Sequence, residues 1–262
     1  MTTQAKNIYG VRVVYHTAGD PKNPPIVFLH AWGARNIKRV IREFACDFYV
    51  IVPELPALLG SDTPTNPSWS YTDYVELVRA LIKELNVTKP TLVGNSFGGS
   101  IATIYATLYP SDMRNLVLVD SGTSSEYPRT PYMRRYHRRF FFLLTSPTVP
   151  AFIKKFAVWY YLGKPFSRIT NQELKNEIQF AQNFNREFIV DYSKIIVPTL
   201  VLSGSRDTVI HPLADARKIA HIIPNAQFYT YSGNVTTIYQ KPTKIINLIK
   251  QHLFQKSATL SA

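Results

Sequence analysis

The chain has a single cysteine, Cys46, which rules out an internal disulfide, and no Cys/His cluster has the spacing of a zinc site. Redox and metal chemistry have no support, so neither a metal nor a cofactor is expected. The opening residues, Met1 to Lys6, lack the apolar stretch of a secretory signal, and no apolar run reaches the ~20 residues a membrane-spanning helix needs. A soluble, cytoplasmic protein is expected. Internal repeats and low-complexity tracts are absent as well. Acidic residues are few: 17 Asp and Glu against 30 Lys and Arg give a formal net charge of +13. That charge comes with no recognisable nucleic-acid-binding module, so a nucleic-acid partner is not expected. With 262 residues, 45% of them hydrophobic, the chain can bury one substantial core. Nothing in it specifies an oligomeric state.

Strand and helix signals alternate along the chain. Val11–Tyr15 alternates like an early strand, while Ile26–Leu29 and Tyr49–Val52 are continuous apolar runs, as strands buried on both faces should be. A helical period runs from Tyr74 to Ile82, and a further strand, Leu116–Val119, ends at Asp120. The rhythm stops there and resumes at Thr199–Leu202, with a helix near Leu213–Ile222, a strand near Phe228–Tyr231 and a last helix from about Thr243 to Phe254. This organisation predicts an α/β domain with a mostly parallel sheet: residues 1–122 and 191–256 form the core, 123–190 a helical cap insertion, and 257–262 a frayed tail. Between Tyr127 and Arg168 lie nine basic residues and no Asp or Glu, interleaved with Phe140, Phe141, Phe142, Phe152, Phe156, Trp159, Tyr160 and Tyr161. Such a mixture suits weak contact with an anionic membrane surface. The favoured expectation is plainer, with aromatics lining the cap's underside and cations solvated on top, since stripes at helical spacing are usually core.

The chemistry centres on Gly94-Asn95-Ser96-Phe97-Gly98-Gly99, which joins the β-like run Thr91–Val93 to a helix-like run beginning at Ser100. It reads as a nucleophile elbow, in which a serine occupies a strained turn above a sheet and the flanking glycines avoid clashes with the neighbouring strand and helix. With this elbow and the interrupted sheet, the chain resembles the α/β-hydrolase superfamily, particularly its small capped esterases. The resemblance covers nearly the whole length outside the cap. It implies an α/β-hydrolase fold with Ser96 as nucleophile. Leu29-His30-Ala31-Trp32-Gly33 is similar to the family's oxyanion loop, so the N–H groups of Trp32 and Phe97 are the implied oxyanion hole. The loop from Gly204 to Val209 implies Asp207 as the triad acid, with Asp120 a lesser alternative. Haloalkane dehalogenase and epoxide hydrolase reactions are disfavoured, because relatives with those reactions carry an aspartate where Ser96 stands.

The third triad position departs from the family pattern. Where the histidine is expected after Ser232-Gly233, the chain has Asn234, and no histidine lies between His221 and His252. Asparagine neither accepts the serine's proton nor returns one to a leaving group. Loss of one triad member lowers turnover by about 10⁴ to 10⁶. Of the other histidines, His30 braces the oxyanion loop, His211 follows Asp207 closely and His137 lies in the cap; His137 is the strongest substitute base, while His16, His221 and His252 have no catalytic context. Ala31 and Ala57 replace family glycines, so a positive φ would be costly at both. Three readings follow: an esterase-like serine hydrolase inactivated at Asn234; a non-hydrolytic binder of a small hydrophobic ligand; or a slow chemistry without proton shuttling by histidine. A small hydrophobic ester-like substrate or ligand is the expected partner.

Overall fold

The apolar runs form strands because each is covered on both faces. The computed structural model describes residues 1–34, 36–64, 69–122, 131–162, 164, 166–184, 189–207 and 211–259; within these, the side chains of 131–134, 136, 137, 168, 183, 184 and 255–259 are not described. Eight strands, β1 (Thr2–Ile8), β2 (Val11–Ala18), β3 (Pro25–Leu29), β4 (Tyr49–Pro53), β5 (Thr91–Asn95), β6 (Asn115–Val119), β7 (Thr199–Gly204) and β8 (Ala226–Tyr231), form one sheet in the order β1-β2-β4-β3-β5-β6-β7-β8. From β4 to β8 every pairing is parallel. The antiparallel pairings join β1 to β2 and β2 to β4. Every residue of β5, β6 and β7 is buried, as central parallel strands require. β1 is polar and largely exposed, and that edge strand has no apolar signature in the sequence. It is held by a two-residue hairpin turn at Tyr9 and Gly10, both with positive φ.

Helices cover the two faces of the sheet. One core layer packs β-sheet side chains against α2 (Tyr71–Glu84), α3 (Phe97–Leu108) and α7 (Leu213–Ile222); the other packs them against α1 (Ile37–Phe44), α8 (Thr237–Gln240) and α9 (Pro242–Thr259). α2 begins with a reciprocal cap in which Ser70 Oγ accepts the Asp73 N–H and Asp73 accepts the Ser70 N–H at 2.6 Å. The last helix continues to Thr259, past the expected start of the tail, while residues 260–262 lie outside the described residues. No helix among the described residues is long and apolar enough to cross a membrane.

Between β6 and β7 the described residues include three inserted α-helices: α4 (Pro131–Thr145), α5 (Ala151–Leu162) and α6 (Asn171–Phe184). They enclose their own apolar cluster, which includes Phe140, Phe141, Leu144, Val158, Leu174 and Ala181. The aromatic pattern differs from the favoured expectation. Phe140 and Phe141 are buried, but Phe142, Phe152, Phe156, Trp159 and Tyr160 are exposed, and Lys154 is buried on the inner face of α5. The reason is the helical period: Phe152, Phe156, Trp159 and Tyr160 fall at i, i+4, i+7 and i+8, one stripe, while the stripe that packs inward carries Lys154, Ala157 and Val158. Arg129 lies outside the described residues, as do the side chains of Arg134, His137 and Arg168.

Candidate functional site

The carboxyl ends of β3, β5 and β7 converge, which is where parallel α/β sheets place their ligands. Ser96 stands between β5 and α3 with φ 50 and ψ −113, a conformation costly for any residue with a Cβ. Its backbone is clamped: the Ser96 N–H donates to the Val119 carbonyl at 3.2 Å, and its carbonyl accepts from the N–H groups of Ser100 and Gly122. The elbow glycines are sterically required. A Cβ on Gly98 would lie 2.1 Å from the Leu29 carbonyl oxygen, and one on Gly94 would lie 2.5 Å from the Gly98 oxygen. The buried Asn95 side chain donates to the Val119 carbonyl at 2.8 Å, tying the elbow to β6.

The imidazole at the serine is that of His211. Its Nε2 is 3.0 Å from Ser96 Oγ. His211 follows β7 and immediately precedes Pro212 and α7, and its own N–H donates to Asp207 Oδ1 at 3.1 Å. Both His211 and Asp207 are buried. Asp207 also accepts the Val235 N–H at Oδ2, 3.3 Å away. The structure therefore brings Ser96, His211 and Asp207 together.

Asn234 is not part of that cluster in the way the sequence suggested, which is a correction. Its loop does return to the site, since Val235 reaches Asp207 and Asn95. The Asn234 side chain itself is exposed and turned onto its own loop, its Oδ1 accepting from the Thr236 N–H at 3.2 Å, Thr236 Oγ1 at 2.9 Å and Thr237 Oγ1 at 3.4 Å. An asparagine before two threonines satisfies local backbone donors in this way, the usual competition between short polar side chains and longer-range partners. Sequence reasoning passed over His211 because a triad histidine is sought after the last strand. The available signal was its position four residues beyond Asp207, in a loop at the carboxyl end of a buried strand. The side chain of His137 is outside the described residues.

The loop after β3 is braced from several sides. His30 is fully buried; its Nε2 accepts the Leu55 N–H at 2.9 Å, which leaves the proton on Nδ1 to be donated to the Ala31 carbonyl at 2.9 Å. Burial pushes its pKa down to about 4, so the ring stays neutral. The Ala31 N–H donates to Tyr239 Oη at 2.8 Å. Ala31 is not among the described residues with positive φ, whereas Gly33 has φ 74 and Ala57 pays the left-handed cost at φ 66. Trp32 donates its indole N–H to Glu177 Oε2 of α6 at 2.7 Å, and Glu177, almost wholly buried, also receives Lys164 Nζ. Burial drives the Glu177 pKa up, against the pull of the Lys164 ammonium. Trp32 and Phe97 flank the Phe180 ring of α6, with centroids 4.7 and 4.9 Å away, so the two residues expected to form an oxyanion hole share one aromatic neighbour from the insertion.

Asp120, the alternative acid, is engaged elsewhere. It has φ 41, its Oδ1 accepts the Gly204 N–H at 2.7 Å and its Oδ2 accepts the Tyr231 hydroxyl, so it braces the ends of β7 and β8. Burial raises its pKa to about 6. Among the described residues no group of three or more His, Cys, Asp or Glu could hold a metal ion.

Comparison with known proteins agrees with this fold. The model of a family described as the alpha/beta hydrolase family matches residues 26–232. Lipase 1 of Psychrobacter immobilis is 27% identical over 241 residues, covering 83% of this chain and 73% of that protein. Epoxide hydrolase 3 of Xenopus tropicalis is 21% identical over 258 residues, covering 84% of this chain and 70% of that protein. A thermophilic esterase structure from Thermogutta terrifontis superposes with a TM-score of 0.77 at 20% identity, covering 97% of this chain and 99% of the other.

Proposed function

Because the chain belongs to the alpha/beta hydrolase family, we propose that it is a serine hydrolase of small hydrophobic carboxylic esters, with Ser96 as nucleophile, His211 as base and Asp207 as supporting acid. The observation that carries this reading is the 3.0 Å separation of His211 Nε2 and Ser96 Oγ. Ser96 attacks the acyl carbon while His211 takes its proton; His211 then returns the proton to the leaving alkoxide, and a water repeats the sequence to free the acid. Asp207 anchors the backbone of His211 and so fixes the loop that carries the imidazole. The N–H groups of Phe97 and Trp32 receive the developing oxyanion. Trp32, Phe97 and Phe180 offer an apolar wall to the acyl or alcohol group, and the helices α4 to α6 act as a cap over it.

The lipase and esterase relatives support ester substrates. The epoxide hydrolase relative does not carry its reaction over, because the nucleophile position here holds a hydroxyl rather than the aspartate expected for that chemistry. An inactivated hydrolase was an inference from Asn234, and it loses its basis once His211 supplies the proton carrier. The test is turnover of p-nitrophenyl butyrate with fluorophosphonate labelling of Ser96. His211→Gln is expected to lower kcat by about 10³-fold or more with the fold intact, and Asn234→Ala to change it by less than about threefold. If His211→Gln is as active as the wild type, or Asn234→His gains several orders of magnitude, this assignment fails and the histidine-deficient reading returns.

A further inference from the structure

We propose that the outer face of the insertion, the aromatic stripe of α5 together with the arginines of α4, docks on an anionic lipid surface. Four aromatic residues of α5 lie on one stripe and in solvent: Phe152 is 68% exposed, Phe156 54%, Trp159 43% and Tyr160 64%. Phe156 packs against both Trp159, with centroids at 5.1 Å, and Tyr160, so the stripe is a cluster rather than scattered side chains. Helix α4, which packs on α5, exposes Arg135, Arg138 and Arg139 together with Phe142. Contiguous apolar surface of this kind on a soluble domain marks an interaction site.

Charge selects the occupant. Among the described residues of the insertion helices the acidic side chains are Glu173 and Glu177, and both are held by Lys164, so the exposed arginines keep their field. A second copy of the same face would bring like charges together. Exposed arginines and wide aromatic rings on two packed helices match the boundary between anionic headgroups and acyl chains, where the rings enter the upper acyl region and the guanidinium groups stay with phosphates. This docking does not depend on the chemistry proposed for Ser96.

The experiment uses the full chain carrying Ser96→Ala, so that lipid is not hydrolysed, with vesicles of phosphatidylcholine alone or with about 30 mol% phosphatidylglycerol. Co-sedimentation is expected only with the anionic vesicles, weakening at about 0.5 M salt, with a blue shift in emission from Trp159, the most exposed of the described tryptophans. Phe156→Ser combined with Trp159→Ser is expected to reduce binding at least about tenfold, as is Arg138→Glu combined with Arg139→Glu. In the background with Ser96 intact, both pairs should leave turnover of a soluble short ester unchanged, which shows that they fold. Equal binding to neutral and anionic vesicles, binding that survives both pairs of changes, or no binding at low salt overturns the proposal. So does a dimer that the aromatic pair dissociates, because that outcome assigns the face to a second copy.

Discussion

His211 shows how a single side chain changes the reading of the site. Ser96 was legible because the elbow combines glycine spacing with a strand-to-helix switch, two signals imposed by sterics: a Cβ at Gly98 meets the Leu29 carbonyl. The proposed base was not legible, because a loop histidine before Pro212 carries no periodicity, and only the fold of the β7 end brings its Nε2 to Ser96. Asn234 misled for a related reason: its loop was placed correctly, but the side chain direction was settled by bonds to Thr236 and Thr237 that no spacing rule contains. Asp120 carries a prediction of its own. Burial raises its folded pKa to about 6, above the ordinary aspartate value of about 3.8, so the folded state favours the protonated acid. Its contribution to stability is therefore fully present below about pH 3.8 and is lost as pH rises through about 6. A shift of about two units corresponds to on the order of 3 kcal/mol. Asp120→Asn keeps an acceptor for Gly204 but no ionisation, so its stability relative to wild type should rise by up to that amount between pH 4 and pH 7. His30, held neutral with its pKa lowered to about 4, acts in the opposite direction and remains in both proteins, so it cancels from the difference. Urea unfolding at several pH values measures this; a difference that stays flat or falls with pH contradicts it.

At the scale of elements, the insertion is joined to the loop after β3 by one buried polar contact. Helix α6 contributes Glu177, which accepts the Trp32 indole N–H and the Lys164 ammonium, while Phe180 of the same helix packs on Trp32 and Phe97. Removing Glu177 leaves the Trp32 indole N–H without its acceptor and Lys164 with the partly exposed Glu173 as its remaining counter-charge, at a cost of about 3 kcal/mol. Glu177→Leu should destabilise the protein by about that much, and Glu177→Gln by less, because a glutamine carbonyl still accepts from the indole. Adding Lys164→Met to Glu177→Leu should recover part of the loss, since the buried ammonium is removed while the Trp32 indole N–H stays without its acceptor. Thermal or urea unfolding of wild type, Glu177→Leu, Glu177→Gln, Lys164→Met and the double variant checks this, and additive losses in the double variant argue that the two groups are not coupled. None of this network was visible beforehand. A helical stripe locates Leu174, Glu177 and Ala181 on one face of α6, but which partner awaits Glu177 depends on how the insertion meets the sheet domain. The central strands were legible because burial on both faces demands continuous apolar runs. β1 escaped notice because an exposed edge strand makes weak demands on composition, whereas α1 was passed over although Ile37, Val40, Ile41 and Phe44 form an apolar stripe at helical spacing.

Across the whole molecule, the site exists because three chain crossings meet at one place: β3 ends at the loop of His30 to Gly33, β5 ends at Ser96, and β7 ends at Asp207 and His211. Gly98 lies where these layers touch, with the carbonyls of Leu29 and His30 at 2.1 and 2.8 Å from any Cβ built on it. The atoms it would strike are backbone, belonging to a central strand end and to the loop after β3, so relief requires α3 to move off the sheet. Gly10, in the outer hairpin, supplies the comparison: its φ is 79, yet a Cβ there meets nothing within 4 Å. Gly10→Ala should therefore cost only the left-handed backbone term, about 1–2 kcal/mol, and leave ester turnover untouched. Gly98→Ala should cost more than about 4 kcal/mol, or, where folded protein is recovered, abolish labelling of Ser96 through displacement of the elbow. Comparing soluble yield, unfolding midpoint and fluorophosphonate labelling for the two variants tests whether fold and site share this one contact. Equal behaviour of the two alanines would mean that the junction yields more readily than its backbone contacts imply.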